Sequence, residues 1–167
     1  MQLTHEENQF ELRQFPVTLV CDHIYFQQNI GSLFRIGEAF GIEKIIFLGK
    51  DIPLNPRKIN KTSRSTHLHV LHSVFEDNKA LITHLQEQQY EIISLEIASN
   101  SKTLKEVQLP VSKKIALIIG SEINGISEEL LSISNQIVHI NMFGQNSSMN
   151  VVQAAGIALY EITSKLI

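Results

Sequence analysis

Cysteine is nearly missing from this 167-residue chain, with Cys21 the single example. No internal disulfide can form, and a lone thiol fits a reducing cytoplasm. Inside an almost continuous apolar run, Cys21 reads as a small buried hydrophobe and not as a nucleophile. No apolar run reaches the ~18 residues of a membrane span. The opening MQLTHEENQFELRQF is too polar and acidic for a signal peptide. Excess positive charge is missing too: the net charge is −3, so any nucleic-acid contact must come from a local patch. No Gly-Lys-Ser/Thr follows a glycine loop, which excludes a Walker-type phosphate loop. The sequence shows no internal repeat, low-complexity tract or splitting linker. Residues 1–167 are therefore expected to form one domain with a proper core, led by a polar arm or short helix at 1–15.

What is present is mostly strand and helix in alternation. Val17–Cys21 suits a strand buried on both faces. Asn29 is placed to cap a helix whose apolar or small stripe is Ile30, Leu33, Phe34, Gly37 and Phe40, with Gly41 as its stop. Arg35 is the odd residue on that stripe, either snorkelling into solvent or aimed at a site beside the helix. Lys44–Gly49 is a second strand. Lys50–Arg64, with Pro53, Pro56 and two Asn, reads as a loop, and His67–His72 as a short strand. Its histidines lack a cysteine or carboxylate companion and read as a polar strand face, not a metal site. Glu76–Tyr90 has the pattern of an amphipathic helix, Glu91–Glu96 of a strand, and Ile97–Leu109 of a polar connection. Ile115–Ile119 is the most hydrophobic run and is expected to be a central strand. Ser127-Glu128-Glu129 opens a short helix, with acids where the dipole favours them.

This order implies an α/β fold with a largely parallel sheet flanked by helices. In such folds ligands bind beyond the C-terminal ends of the strands. Three loops fall there: Leu95–Glu96, Gly120–Gly125 and Ile140–Ser148. The last leads from the strand Gln136–Ile140 into a long apolar helix, and Ser147 or Ser148 is placed to cap it. That helix is apolar around most of its girth, at Val151, Val152, Ala154, Ala155, Ile157, Ala158, Leu159 and Ile162. One sheet face cannot cover it, so a second burial surface is expected. Arg57, Lys58, Lys61 and Arg64 lie in a run without an acidic residue from Ile52 to Val74, beside Ser, Thr and His groups suited to phosphate and sugar contacts.

Three motifs, in this order and spacing, resemble those of the SpoU (TrmH-type) RNA ribose 2′-O-methyltransferases of the SPOUT superfamily. They are Asn29-x-Gly31-x-x-x-Arg35, Gly120-x-Glu122-x-x-Gly125 and Ile140-x-Met142-x-Gly144-x-x-x-Ser148-x-Asn150-Val151. The third motif departs from the usual Ile-Pro-Met and Ser-Leu-Asn, with Asn141 for the proline and Met149 for the leucine. The resemblance implies a C-terminal trefoil knot, a homodimer, S-adenosylmethionine as cofactor and no metal. It also implies an RNA substrate, with transfer RNA favoured over ribosomal RNA. Adenine would be held by backbone groups of Leu95, Gly120, Ile140 and Met149, with Ser148 in the same loop. Arg35 would be the catalytic residue near the 2′-hydroxyl and its phosphate, as general base or as electrostatic stabiliser of the developing alkoxide. Asn29 would fix the substrate or Arg35, and Glu122 would hold the arginine or a substrate hydroxyl. Ser148 and Asn150 would orient Arg35 and the cofactor loop. Two other classes stay open: a non-catalytic RNA-binding relative, and a nucleotide-binding α/β enzyme of another kind.

Overall fold

The computed structural model describes residues 10–167; residues 1–9, most of the expected arm, lie outside the described residues. The described residues form seven strands, most of them from the aliphatic runs: β1 (Phe15–Asp22), β2 (Ile42–Leu48), β3 (Leu71–Phe75), β4 (Glu91–Leu95), β5 (Lys102–Thr103), β6 (Ile115–Gly120) and β7 (Gln136–His139). They make one sheet in the order β3-β2-β1-β6-β4-β7-β5, with every pairing parallel. Such a sheet must be covered on both faces. Alternation along the strands supplies the two faces. Val17, Leu19 and Cys21 meet Leu33 and Phe34 of α1 (Gln27–Ala39) and Ala155 and Leu159 of α5 (Val151–Leu166). Val20, Ile46 and Ile118 meet Leu81 and Leu85 of α3 (Asn78–Glu87) and Leu130 of α4 (Glu128–Ser132). Trimming one of these side chains, Leu19→Ala for instance, should cost about 2–5 kcal/mol.

β6 is central, as its composition requires. The chain passes from β4 to the far edge at β5, returns to β6 between β1 and β4, and then places β7 between β4 and β5. Sequence order is thus interleaved around β4. Leu95 stands level with Ile119 on one side and Val138 on the other, so three strands end together. A crevice at such a switch point is where open parallel sheets bind ligands.

Four expectations are corrected. Lys50–Arg64 is not all loop: α2 (Pro56–Ser63) occupies half of it. Asn55 caps it through the Arg57 and Lys58 amides, and Pro56 sits at its first turn, where a missing N–H costs nothing. His67–His72 is not one strand: Arg64 and Ser65 both take left-handed conformations, a 3₁₀ turn follows at Thr66–Leu68, and β3 starts only at Leu71. The amphipathic helix is shorter than Glu76–Tyr90, because the Asp77 side chain caps it by accepting the Ala80 N–H at 2.8 Å. The polar connection after β4 holds β5 and a 3₁₀ turn at Leu104–Glu106, and Leu104 and Val107 enter the core.

Candidate active site

Asn150, not Ser147 or Ser148, caps α5: its side-chain oxygen accepts the Val152 N–H at 2.9 Å. Its amide nitrogen donates to Asn29 Oδ1 at 3.3 Å. Asn29 is correspondingly not a helix cap. It lies in the first turn of α1, almost fully buried, and its own amide nitrogen donates to the Glu122 carboxylate. The three motifs are therefore joined side chain to side chain, Asn150 to Asn29 to Glu122. A buried asparagine with both ends engaged is held in one orientation.

Beside this network a cavity of about 690 Å³ opens at the ends of β4, β6 and β7. Leu95, Gly120, Ile140, Ser148 and Met149, expected to hold a cofactor, all line it. Among the described residues its lining carries two carboxylates, Glu96 and Glu122, with His139 and without lysine or arginine. Gly120 has a reason beyond ligand approach. The following loop folds back so that Ser121 and Gly125 form a bridge, and a Cβ at 120 would collide with the Gly125 carbonyl. Gly125 takes a positive φ of 65° and rests against the Glu96 carboxylate, leaving no space for a side chain. Ser148 is exposed, and its N–H and hydroxyl both donate to Asn146 Oδ1, at 3.3 and 3.4 Å.

Arg35 is not drawn into this cluster. It is exposed and makes no hydrogen bond or ion pair among the described residues. It stands one helical turn beyond Gly31, where α1 meets α2 so closely that a Cβ would strike the Thr62 side chain. On another side α1 meets α5, with Ile36 against Gly156. Arg35 thus rides on the helix between the side that meets α2 and the side that meets α5. Arg57, Lys58, Lys61 and Arg64 are all exposed on or at the end of α2. The left-handed turn carrying Arg64 is braced by Ser65 donating to Asn60 at 2.9 Å and by Ser63 bonded to His67 at 2.7 Å.

Two acids in this region went unassigned in the sequence. Asp22 ends β1 almost fully buried, accepts the Ser127 N–H at 2.7 Å and pairs with His23. It pins the loop after β6 to the end of β1. Glu96 accepts the Ile97 N–H at 2.9 Å and the Ile126 N–H at 3.1 Å. The available signal was the same for both: a lone acid directly after an aliphatic strand. Cys21 is buried; desolvation, and then the Asp22 carboxylate, push its thiol far above the ordinary range, as suits a core residue.

Comparison with known proteins bears on the same segments. The profile of the SpoU rRNA Methylase family matches residues 16–160. A tRNA (guanosine(18)-2′-O)-methyltransferase of Borreliella burgdorferi is 27% identical over 162 residues, 96% of this chain and 72% of that protein. The protein of the same description from Thermus thermophilus is 26% identical, over 89% of this chain and 75% of the relative. Among solved structures, the A. aeolicus TrmH/SpoU tRNA modifying enzyme superposes with a TM-score of 0.80 at 23% identity, covering 93% of this chain and 77% of that one. The SpoU methyltransferase AviRb of Streptomyces viridochromogenes, in complex with AdoMet, gives 0.80 at 18% identity, over 98% of this chain and 62% of that one.

Proposed function

Because this chain belongs to the SpoU rRNA methylase family, we propose that it is an S-adenosylmethionine-dependent RNA ribose 2′-O-methyltransferase acting on transfer RNA. The observation that carries the reading is the Asn150–Asn29–Glu122 network beside the strand-end cavity. It joins all three motifs at the place where a parallel sheet binds its ligand. The names of the curated relatives point to transfer RNA.

The cavity suits the cofactor on charge. Two carboxylates, with no lysine or arginine among the described lining residues, favour a cation and oppose a nucleoside phosphate. When bound, S-adenosylmethionine supplies an electrophilic methyl on a sulfonium, and the sulfur keeps the bonding electron pair as the thioether forms. Backbone groups of Leu95, Gly120, Ile140 and Met149 hold the adenine. Asn150 and Asn29 fix Glu122, whose second oxygen remains free to accept a hydroxyl. Arg35 would stabilise the negative charge that develops on the 2′-oxygen as it bonds to the methyl carbon and its proton passes to solvent water. Stabilisation suits a guanidinium better than general-base work, which would need it neutral.

RNA is held on α2 by Arg57, Lys58, Lys61 and Arg64, and Arg35 lies on the helix between that surface and the cavity loop. The working unit is a cytoplasmic homodimer that needs no metal. Gln153, Ile157 and Tyr160 support the dimer: they form an exposed stripe on α5, with Ile157 43% and Tyr160 64% exposed. The interleaved order β6-β4-β7-β5 supports the trefoil knot of the family.

The test is methyl transfer from isotopically labelled S-adenosylmethionine to transfer RNA, followed by digestion to nucleosides. The label should appear in a single 2′-O-methylnucleoside. Label on a base, or none on any RNA, would refute the reaction.

A further inference from the structure

We infer that Glu96 reads the ribose of the cofactor, its carboxylate accepting the 2′- and 3′-hydroxyl groups. This inference rests on the cofactor reading above. Glu96 follows Leu95, whose backbone belongs to the adenine seat, and it lines the same cavity. In an adenosine the ribose is bonded directly to the adenine, so the first side chain beyond that seat meets the sugar. The methionyl end must instead lead toward the Asn29–Glu122–Asn150 network, where the acceptor hydroxyl is placed. The two carboxylates of the cavity wall thereby divide the ligand between them.

The geometry of Glu96 is that of a fixed acceptor. One oxygen takes the Ile97 N–H at 2.9 Å and the other the Ile126 N–H at 3.1 Å. The second oxygen also packs against Gly125, where a side chain would collide. These contacts lock the carboxylate between the end of β4 and the loop after β6. They use one acceptor position on each oxygen and leave each with a further lone pair. A vicinal diol offers two O–H donors to two such oxygens. Charge-assisted bonds to a preorganised acceptor are strong, and a site built to bond a hydroxyl rejects the analogue lacking it.

Calorimetry with S-adenosylmethionine, 5′-methylthioadenosine and the 2′- and 3′-deoxy forms of the latter tests this. The wild-type protein should bind 5′-methylthioadenosine roughly tenfold to a hundredfold more tightly than either deoxy form, the worth of a hydrogen bond to a charged group. Glu96→Ala should bind all three nucleosides alike. Glu96→Gln keeps an oxygen for one loop amide and should lower the unliganded melting temperature less than the alanine change, with discrimination reduced; it stands in if the alanine variant fails to fold. Undiminished discrimination in both variants would overturn the inference. So would a loss of affinity equal for the ribose and deoxyribose ligands, which is what a loop tie alone would give. If wild-type protein bound neither S-adenosylmethionine nor 5′-methylthioadenosine, the cofactor reading itself would fall, and this inference with it.

Discussion

The cavity beyond β4, β6 and β7 and the helix α2 beyond β2 are made of opposite materials. The cavity is walled by apolar and small polar residues, His139 and two carboxylates, Glu96 and Glu122, with no lysine or arginine among the described residues. α2 and its C-terminal residue carry four exposed cations in a stretch free of acids from Ile52 to Val74. A net charge of −3 conceals this division. A cationic cofactor and a polyanionic substrate need opposite fields, and one uniform surface cannot serve both. Between the two regions runs α1, seated on α2 at Gly31 and tied to the cavity loops at Asn29. Its Arg35 is exposed, lines no part of the cavity and stands on the helix that joins the two regions.

Substitutions can break this contrast at several points. The largest effect is expected at Arg35. Arg35→Ala should lower turnover about 10²- to 10⁴-fold, the range for losing a transition-state electrostatic partner. Cofactor affinity should stay unchanged, since Arg35 does not line the cavity. Arg35→Lys should recover little, because an ammonium does not reproduce the guanidinium fork. Near-normal single-turnover rates in Arg35→Ala would remove this residue from the chemistry.

Next comes the α5 stripe. Ile157→Glu should turn a dimer into a monomer in light scattering while leaving the fold intact, because Ile157 is already 43% exposed. Ala155→Glu is a poorer probe. Ala155 is fully buried against its own core, so a charge there should unfold the chain. A wild-type monomer at micromolar concentration would contradict the dimer.

The paired change Lys58→Ala with Lys61→Ala sharpens the contrast. It should weaken RNA binding and flatten its log–log salt dependence by roughly 0.7–0.9 per lost phosphate contact. S-adenosylmethionine affinity should not move. An unchanged salt slope would make α2 an ordinary solvated helix. The smallest effect on stability is expected for Asn150→Ala, about 1 kcal/mol for loss of the α5 cap. It should also free Asn29, so turnover should fall by more than the cap alone explains; equal losses would make Asn150 a cap and nothing else.

The same two regions differ in how far the sequence disclosed them. The cavity was legible because strands betray their ends. Leu95, Gly120 and Ile140 each stand where an aliphatic run gives way to a polar loop, and all three line the cavity. Motif spacing did the rest, bringing Asn29, Glu122 and Asn150 together across 121 residues of chain. Their roles were less legible. Asn29 and Ser148 both have the chemistry of helix caps, yet Asn150 is the cap and Asn29 the central link, because a cap depends on backbone direction as well as residue type. The α2 region was misread. Only Ile59 and Ser63 of that helix are buried, too faint a stripe to register as amphipathic, while Pro53 and Pro56 suggested a loop. The clue was Asn55-Pro56, a cap followed by a first-turn proline. The consecutive left-handed residues Arg64 and Ser65 left no trace, since neither is a glycine or an asparagine.

Calorimetric titration of the wild-type chain with S-adenosylmethionine and, separately, with ATP tests most directly whether the acidic cavity is a seat for a cationic cofactor. The account predicts saturable binding of S-adenosylmethionine at one site per chain, unchanged by a chelator, and no comparable binding of ATP. Tighter binding of ATP, or no heat from S-adenosylmethionine at saturating concentration, would contradict it.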